Sequence, residues 1–147
     1  MDENRFVGRW KLVSWVKKTR DGNTSYPFGE NAIGHIIYTE DGFVSATLMA
    51  ANRSPIRVSL YKLALKPRYA MALIRYLKAA ATFVNYSGSF RIVGDTVIHH
   101  VETSLYPDWV GTDLVRTFTF AGDQLTLRAE ETPGVIHELV WAKVRHG

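Results

Sequence analysis

Residues 99–116 read HHVETSLYPDWVGTDLVR. This stretch links two runs rich in β-branched and aromatic residues, TVIHHVET (96–103) and DLVRTFTF (113–120), through a connection carrying Tyr106, Pro107 and Trp109. Neighbouring runs are joined far more tightly. GD at 94–95 ties YSGSFRIV (86–93) to TVIHHVET, GD at 122–123 ties DLVRTFTF to QLTLRAE (124–130), and EDG at 40–42 separates IGHIIYT (33–39) from FVSATLM (43–49). Short glycine-containing turns between alternating runs are hairpin signals. With FVGRWKLVSWV (6–16) at the start and VIHELVWAKVR (135–145) at the end, the strand count reaches eight.

The connections alternate, tight then long. The first and second strands, the third and fourth, the fifth and sixth, and the seventh and eighth are assigned the long linkers. In an up-and-down antiparallel sheet, alternate connections fall at alternate ends, so one end is closed by turns and the other elaborated by loops. A sheet of about eight such strands closes on itself, removing its edges and leaving room inside for side chains or one small ligand. The expected fold is all-β with one helix: an eight-stranded up-and-down antiparallel barrel, with residues 1–147 as a single domain. The helix falls between the third and fourth strands, from Pro67 to about Phe83, where Ala70, Leu73, Ile74, Leu77 and Ala81 form one apolar stripe.

Hydrophobic residues make up 46% of the chain and charged residues 22%, the balance of a globular domain with a core. There is no cysteine, which excludes disulfides, thiolate nucleophiles and Cys-based zinc sites. No leader and no apolar run of membrane-spanning length is evident, so a cytoplasmic address without a membrane span is expected. The net charge of +4 is uneven: Arg53, Arg57, Lys62, Lys66, Arg68, Arg75 and Lys78 lie between positions 53 and 83 with no acid among them. Such a segment attracts an anionic ligand or surface, or is a solvated face whose stems snorkel over apolar surface. A nucleic-acid partner is not expected, because no RNA-binding signature interleaves with these residues.

The tight turns fix which residues point inward. GD at 94–95 pairs Phe90 with His99 on the more apolar face, so His99 points in and His100 out. GD at 122–123 places Phe118 and Arg116 in the inward row of the following strand. A guanidinium inside a barrel needs a carboxylate, a carbonyl, water or an anionic ligand. Arg116 and His99 are therefore candidate ligand contacts, with an ion pair to Glu30 or Glu131 as the alternative for Arg116. Ser14, His35 and Tyr38 are further candidates whose face depends on the register around TEDG at 39–42. Tyr106 and Trp109 belong to the elaborated end and rim a mouth, or Trp109 packs under its own loop. No metal site is expected, since His99 and His100 face opposite ways and no third ligand has suitable spacing. No nucleotide fingerprint or nucleophile elbow is present, and no cofactor is expected.

The segments VGRWKLVSW (7–15), SYPFGENAIGHIIYTEDGFVSATLM (25–49), GDTVIHHVETSLYPDWVGTDLVRTF (94–118) and ELVW (138–141) together resemble the bacterial and fungal lipocalin-like domain family. The resemblance implies that Trp10, two residues after Gly8, plugs the closed end with Arg145 or Lys143 packed over it. It also implies binding of a small, largely hydrophobic molecule with a polar or acidic group. The chain departs from classical lipocalins in the position of its helix and in lacking a Thr-Asp-Tyr motif, so extracellular transport is not implied.

Two further functions are compatible with the sequence. One is a cofactor-free cyclase or isomerase acting on a polyketide-like or terpenoid intermediate, with His99 as acid or base and Arg116 as carbonyl clamp. The other is a barrel filled by Trp10, Phe90, Phe118 and Phe120 that serves as an interaction module. The oligomeric state, a homodimer included, is open.

Overall fold

The computed structural model describes residues 3–63 and 66–145, the side chain of Leu63 excepted. A one-turn helix α1 (Glu3–Phe6) leads into β1 (Gly8–Lys18), a two-residue β2 (Thr24–Ser25), β3 (Ile33–Tyr38) and β4 (Phe43–Met49). The one-turn α2 (Leu60–Leu63) and α3 (Ala70–Ala81) follow, then β5 (Phe83–Val93), β6 (Thr96–Ser104), β7 (Asp113–Ala121), β8 (Gln124–Thr132) and β9 (Val135–Lys143). Every pairing is antiparallel: β1, β3, β4, β5, β6, β7, β8 and β9 follow in order, and β9 returns to β1. Eight long strands thus form a closed barrel, and β2 adds a short rung to β1 at Lys17 and Lys18. The helix lies where expected, between the third and fourth barrel strands, which are β4 and β5 in chain order.

The two GD turns set the register read from the sequence. Phe90 is opposite His99, Ile92 opposite Val97, Phe118 opposite Leu127 and Phe120 opposite Leu125. One connection differs from expectation. Thr132 pairs with Val135 across Pro133 and Gly134, so β8 and β9 form a tight hairpin and only three long connections remain at the open end.

The closed end is solid. Phe6, expected to begin the first strand, instead ends α1 and is fully buried, with ring centroids 4.9 Å from Phe118 and 5.0 Å from both Phe120 and Tyr38. Trp10 is buried beside it and donates its Nε1–H to the Phe6 carbonyl at 2.7 Å. The basic residue over Trp10 is Lys143, whose Nζ lies 5.1 Å from the ring centroid; Arg145 is instead exposed and paired with Asp123 at 2.7 Å. Gly8, at φ +128°, lets the chain turn from α1 into β1 beneath Lys143, where an added Cβ would meet Lys143 Cε at 3.3 Å.

The helix meets the barrel the other way round from its pattern. Ala72 is the buried residue of α3 and Tyr76 and Ala79 are half-buried, whereas the apolar stripe of Leu73, Ile74 and Leu77 is exposed to solvent.

Candidate functional site

The inward rows of the strands build two layers above one another. Along β7 the inward residues are Leu114, Arg116, Phe118 and Phe120, of which the last two belong to the aromatic floor with Phe6. Above the floor the barrel encloses a cavity of about 370 Å3. Its wall is largely apolar, with Trp15, Leu48, Val84, Trp109, Leu114, Leu127, Leu139 and Trp141 contributing, while Tyr86 and Arg116 add polar groups and Glu130, Glu131 and His137 stand at the rim.

His99 is inside the barrel, as its register requires, but it lies behind the wall and does not line the cavity. It is fully buried, with Nε2 2.9 Å from the Tyr38 hydroxyl and Nδ1 2.8 Å from the Tyr86 hydroxyl. Burial, and secondarily the Arg116 charge, lowers its pKa to about 3, so the imidazole is neutral at physiological pH. Burial likewise raises both tyrosines, leaving the trio uncharged. A neutral imidazole offers one donor and one acceptor, so one tyrosine gives a proton to the ring and the other takes one. Tyr38 has no other acceptor among the described residues and must donate to Nε2 if its proton is to be paired. In that tautomer Nδ1–H donates to Tyr86, whose own O–H then has no acceptor among the described residues.

A β-bulge brings this trio together. Gly88 pairs with Val101 but Ser87 pairs with Thr103, leaving Glu102 as the extra residue of β6. The strands approach so closely there that a Cβ on Gly88 would lie 1.9 Å from the His100 carbonyl oxygen. Glycine is therefore required at the bulge that sets Tyr86 against His99.

A second bulge corrects the reading of β1. Leu12 pairs with Trp141 and Ser14 with Val140, so Val13 is extra and the inward face passes from Leu12 to Trp15. Ser14 is consequently not part of the wall. Trp15 donates from Nε1 to His137 Nδ1 at 2.9 Å, and Phe28 of the loop before β3 packs edge-on against it at 4.6 Å. His137 must then carry its proton on Nε2, which lies 3.0 Å from Glu131. Lys17, and after it His137, hold the Glu131 carboxyl below the usual carboxylate range.

The remaining expected residues divide. Tyr38 points in but is spent on His99, whereas His35 falls on the outer face of β3, opposite Lys11 and Thr47, with its buried Nδ1 lacking a partner among the described residues. Phe118 belongs to the floor and not to the cavity wall. Trp109 lines the cavity and touches Tyr86 at 5.9 Å; Tyr106 stacks edge-on against Trp109 at 5.4 Å and is half exposed. Arg116 lines the cavity without a carboxylate in salt-bridge range among the described residues, its one hydrogen bond going to the Val115 carbonyl at 3.1 Å. Glu131, its expected partner, is held by Lys17 and His137. Sequence reasoning missed Tyr86, Trp15 and Trp141. The Nε1–H of Trp141 is buried with no partner among the described residues. Among the described residues no three His, Asp or Glu side chains converge as a metal site would need, and no helix is long and apolar enough to cross a membrane.

A closed antiparallel barrel with a packed floor, one open end and an apolar cavity belongs to the class of small eight-stranded barrels whose interior has room for side chains or one small ligand. A family model described as a lipocalin-like domain matches residues 7–144, and the chain belongs to that family. No curated protein matches it in sequence. Among solved structures it is similar to a lipocalin-like protein from Bacteroides uniformis, at 11% identity and a TM-score of 0.49 over 95% of this chain and 98% of that one. An uncharacterized protein from Bacteroides eggerthii gives 11% identity and a TM-score of 0.47 over 95% and 99%. A de novo designed fluorescence-activating β-barrel gives 11% and 0.45 over 97% of each chain.

Proposed function

We propose that the barrel binds a small, largely apolar molecule whose one polar group is a hydrogen-bond acceptor, a carboxylate or a carbonyl, placed against Arg116 and Tyr86. The observation that carries this reading is Arg116: a guanidinium in an apolar cavity with no carboxylate partner among the described residues. A half-buried cation of this kind is stabilised by an acceptor that comes with the ligand. Other polar hydrogens of the inner wall point to the same chemistry. Tyr86 borders the cavity with a hydroxyl whose proton is free when His99 donates to it, and the Trp141 N–H is unpaired among the described residues, while the carboxylates stand at the rim. A cyclase or isomerase would have to draw its acid or base from the residues that line the cavity, because His99 is sealed behind Tyr86 and neutral.

The test uses two fluorescent probes with one skeleton, anilinonaphthalene sulfonate and the uncharged phenyl-naphthylamine. The sulfonate is expected to bind about tenfold more tightly, a difference of about 1.4 kcal/mol, and Arg116→Met to abolish that preference while retaining the neutral probe. Equal affinities for the two probes in the unmodified protein would refute an anionic or acceptor preference, and binding of neither would refute the cavity's role altogether.

A further inference from the structure

We infer that the exposed cations and apolar side chains of the described stretches 53–62 and 66–78 dock the protein onto an anionic lipid surface. The inversion of α3 is the first support. Its apolar stripe faces solvent, with Met71 and Leu77 each 62% exposed and Leu73 and Ile74 about half exposed, and the preceding α2 adds Leu60 and a Tyr61 that is 90% exposed. Large apolar side chains clustered on an outward helix face mark an interaction surface. The charge pattern identifies its occupant. Arg53, Arg57, Lys62, Lys66, Arg68, Arg75 and Lys78 are all exposed, and none forms an ion pair with a described residue. No Asp or Glu occurs between Asp41 and Asp95. Unneutralised cations interleaved with exposed Leu, Ile, Met and Tyr are the two halves of an interfacial helix: the cations meet anionic headgroups and the apolar stripe enters the acyl boundary.

A second copy fits less well, since a symmetric contact through this face would set seven cations against seven. Two of the guanidinium groups also order the arm: Arg53 donates to the Ala79 and Thr82 carbonyls at the end of α3, and Arg75 to the Pro55 carbonyl, while both residues stay exposed. The docking face is continuous with the cavity's entrance. Ala80, Ala81, Leu105 and Tyr106 line one groove, and Trp109 borders both that groove and the cavity. An apolar ligand dissolved in the bilayer would meet the mouth without crossing water.

Co-sedimentation of the full chain with phosphatidylcholine vesicles, with and without phosphatidylserine, tests this. Binding is expected only to the phosphatidylserine vesicles and is expected to weaken steeply with salt. Arg68→Glu with Lys78→Glu should lower partitioning at least about 25-fold, and Leu73→Ser with Leu77→Ser at least about tenfold. All four side chains are exposed, so circular dichroism and thermal melting should match the unmodified protein. Absence of binding to anionic vesicles, equal binding to neutral ones, or binding indifferent to the leucine substitutions overturns the inference. So does a concentration-dependent dimer in sedimentation velocity that the leucine substitutions abolish, which would make a second copy the occupant.

Discussion

The two halves of the barrel interior treat polar groups in opposite ways. In the lower half each one has a partner within the protein: Trp10 bonds the Phe6 carbonyl, and Tyr38, His99 and Tyr86 bond one another. In the upper half, among the described residues, Arg116 has no carboxylate and Trp141 no acceptor. A buried polar group that is paired internally contributes to a unique structure, whereas one left unpaired costs roughly 1–3 kcal/mol until something supplies its bond. Polarity inside a barrel is thus not in itself a sign of a binding site. Incomplete pairing beside a cavity is.

The contrast can be broken most severely from below. Phe6 is wedged among Tyr38, Phe118 and Phe120 with no exposed surface, so Phe6→Ala should destabilise the barrel by about 3–5 kcal/mol in denaturant unfolding. Probe binding at the mouth of the folded fraction should be nearly unchanged. A large loss of affinity with little loss of stability would mean that Phe6 belongs to the site and that the floor is not separate from it.

His99 comes next. Replacing it by Leu strands two tyrosine hydroxyls, one of them in a fully buried residue, and should cost about 2–4 kcal/mol. Its titration gives a sharper signature. The folded pKa of about 3 lies below the ordinary histidine value of 6.5, so the folded protein binds fewer protons than the unfolded chain between those limits. Stability from this group is complete above pH 6.5 and falls as the pH drops toward 3, by about 1.4 kcal/mol per unit. Between about pH 6.5 and 5, before most carboxylates titrate, His99→Leu should show a shallower slope than the unmodified protein by nearly one proton. Identical slopes would place a charged or solvated imidazole where the trio stands.

How far these roles were legible in the sequence depended on turn geometry. Two-residue turns leave one register, so His99, Phe90, Phe118 and Arg116 were all correctly turned inward from the GD pairs alone. The four-residue TEDG connection leaves several, which is why Tyr38 and His35 could not be separated until β3 was seen against β4. Ser14 is left open in the sequence, and nothing in KLVSW marks Val13 as the extra residue of a bulge, which hands the inner face to Trp15. Alternation also gives side and not depth. His99 and Arg116 share the interior, yet one is sealed and the other open, and that difference arises from the bulge at Gly88 and the volume of the floor. The helix misled for another reason: its stripe announces an apolar contact without saying whether the barrel or something outside supplies it.

The mildest test concerns Trp141, which belongs to both halves. Its ring is packed into the core opposite Leu12 and Leu125, while its unpaired N–H lies in a residue of the cavity wall. Trp141→Phe removes the donor along with part of the ring. The lost packing is offset by removal of a buried N–H that has no partner among the described residues, so the unliganded protein should change by no more than about 1–2 kcal/mol. Affinity for the sulfonate probe should fall about three- to fivefold, with the neutral probe affected less, because only the sulfonate has strong acceptors to lose a donor from. Equal losses for both probes would assign Trp141 to packing alone, and the upper half would then recognise its ligand through Arg116 and Tyr86 without it.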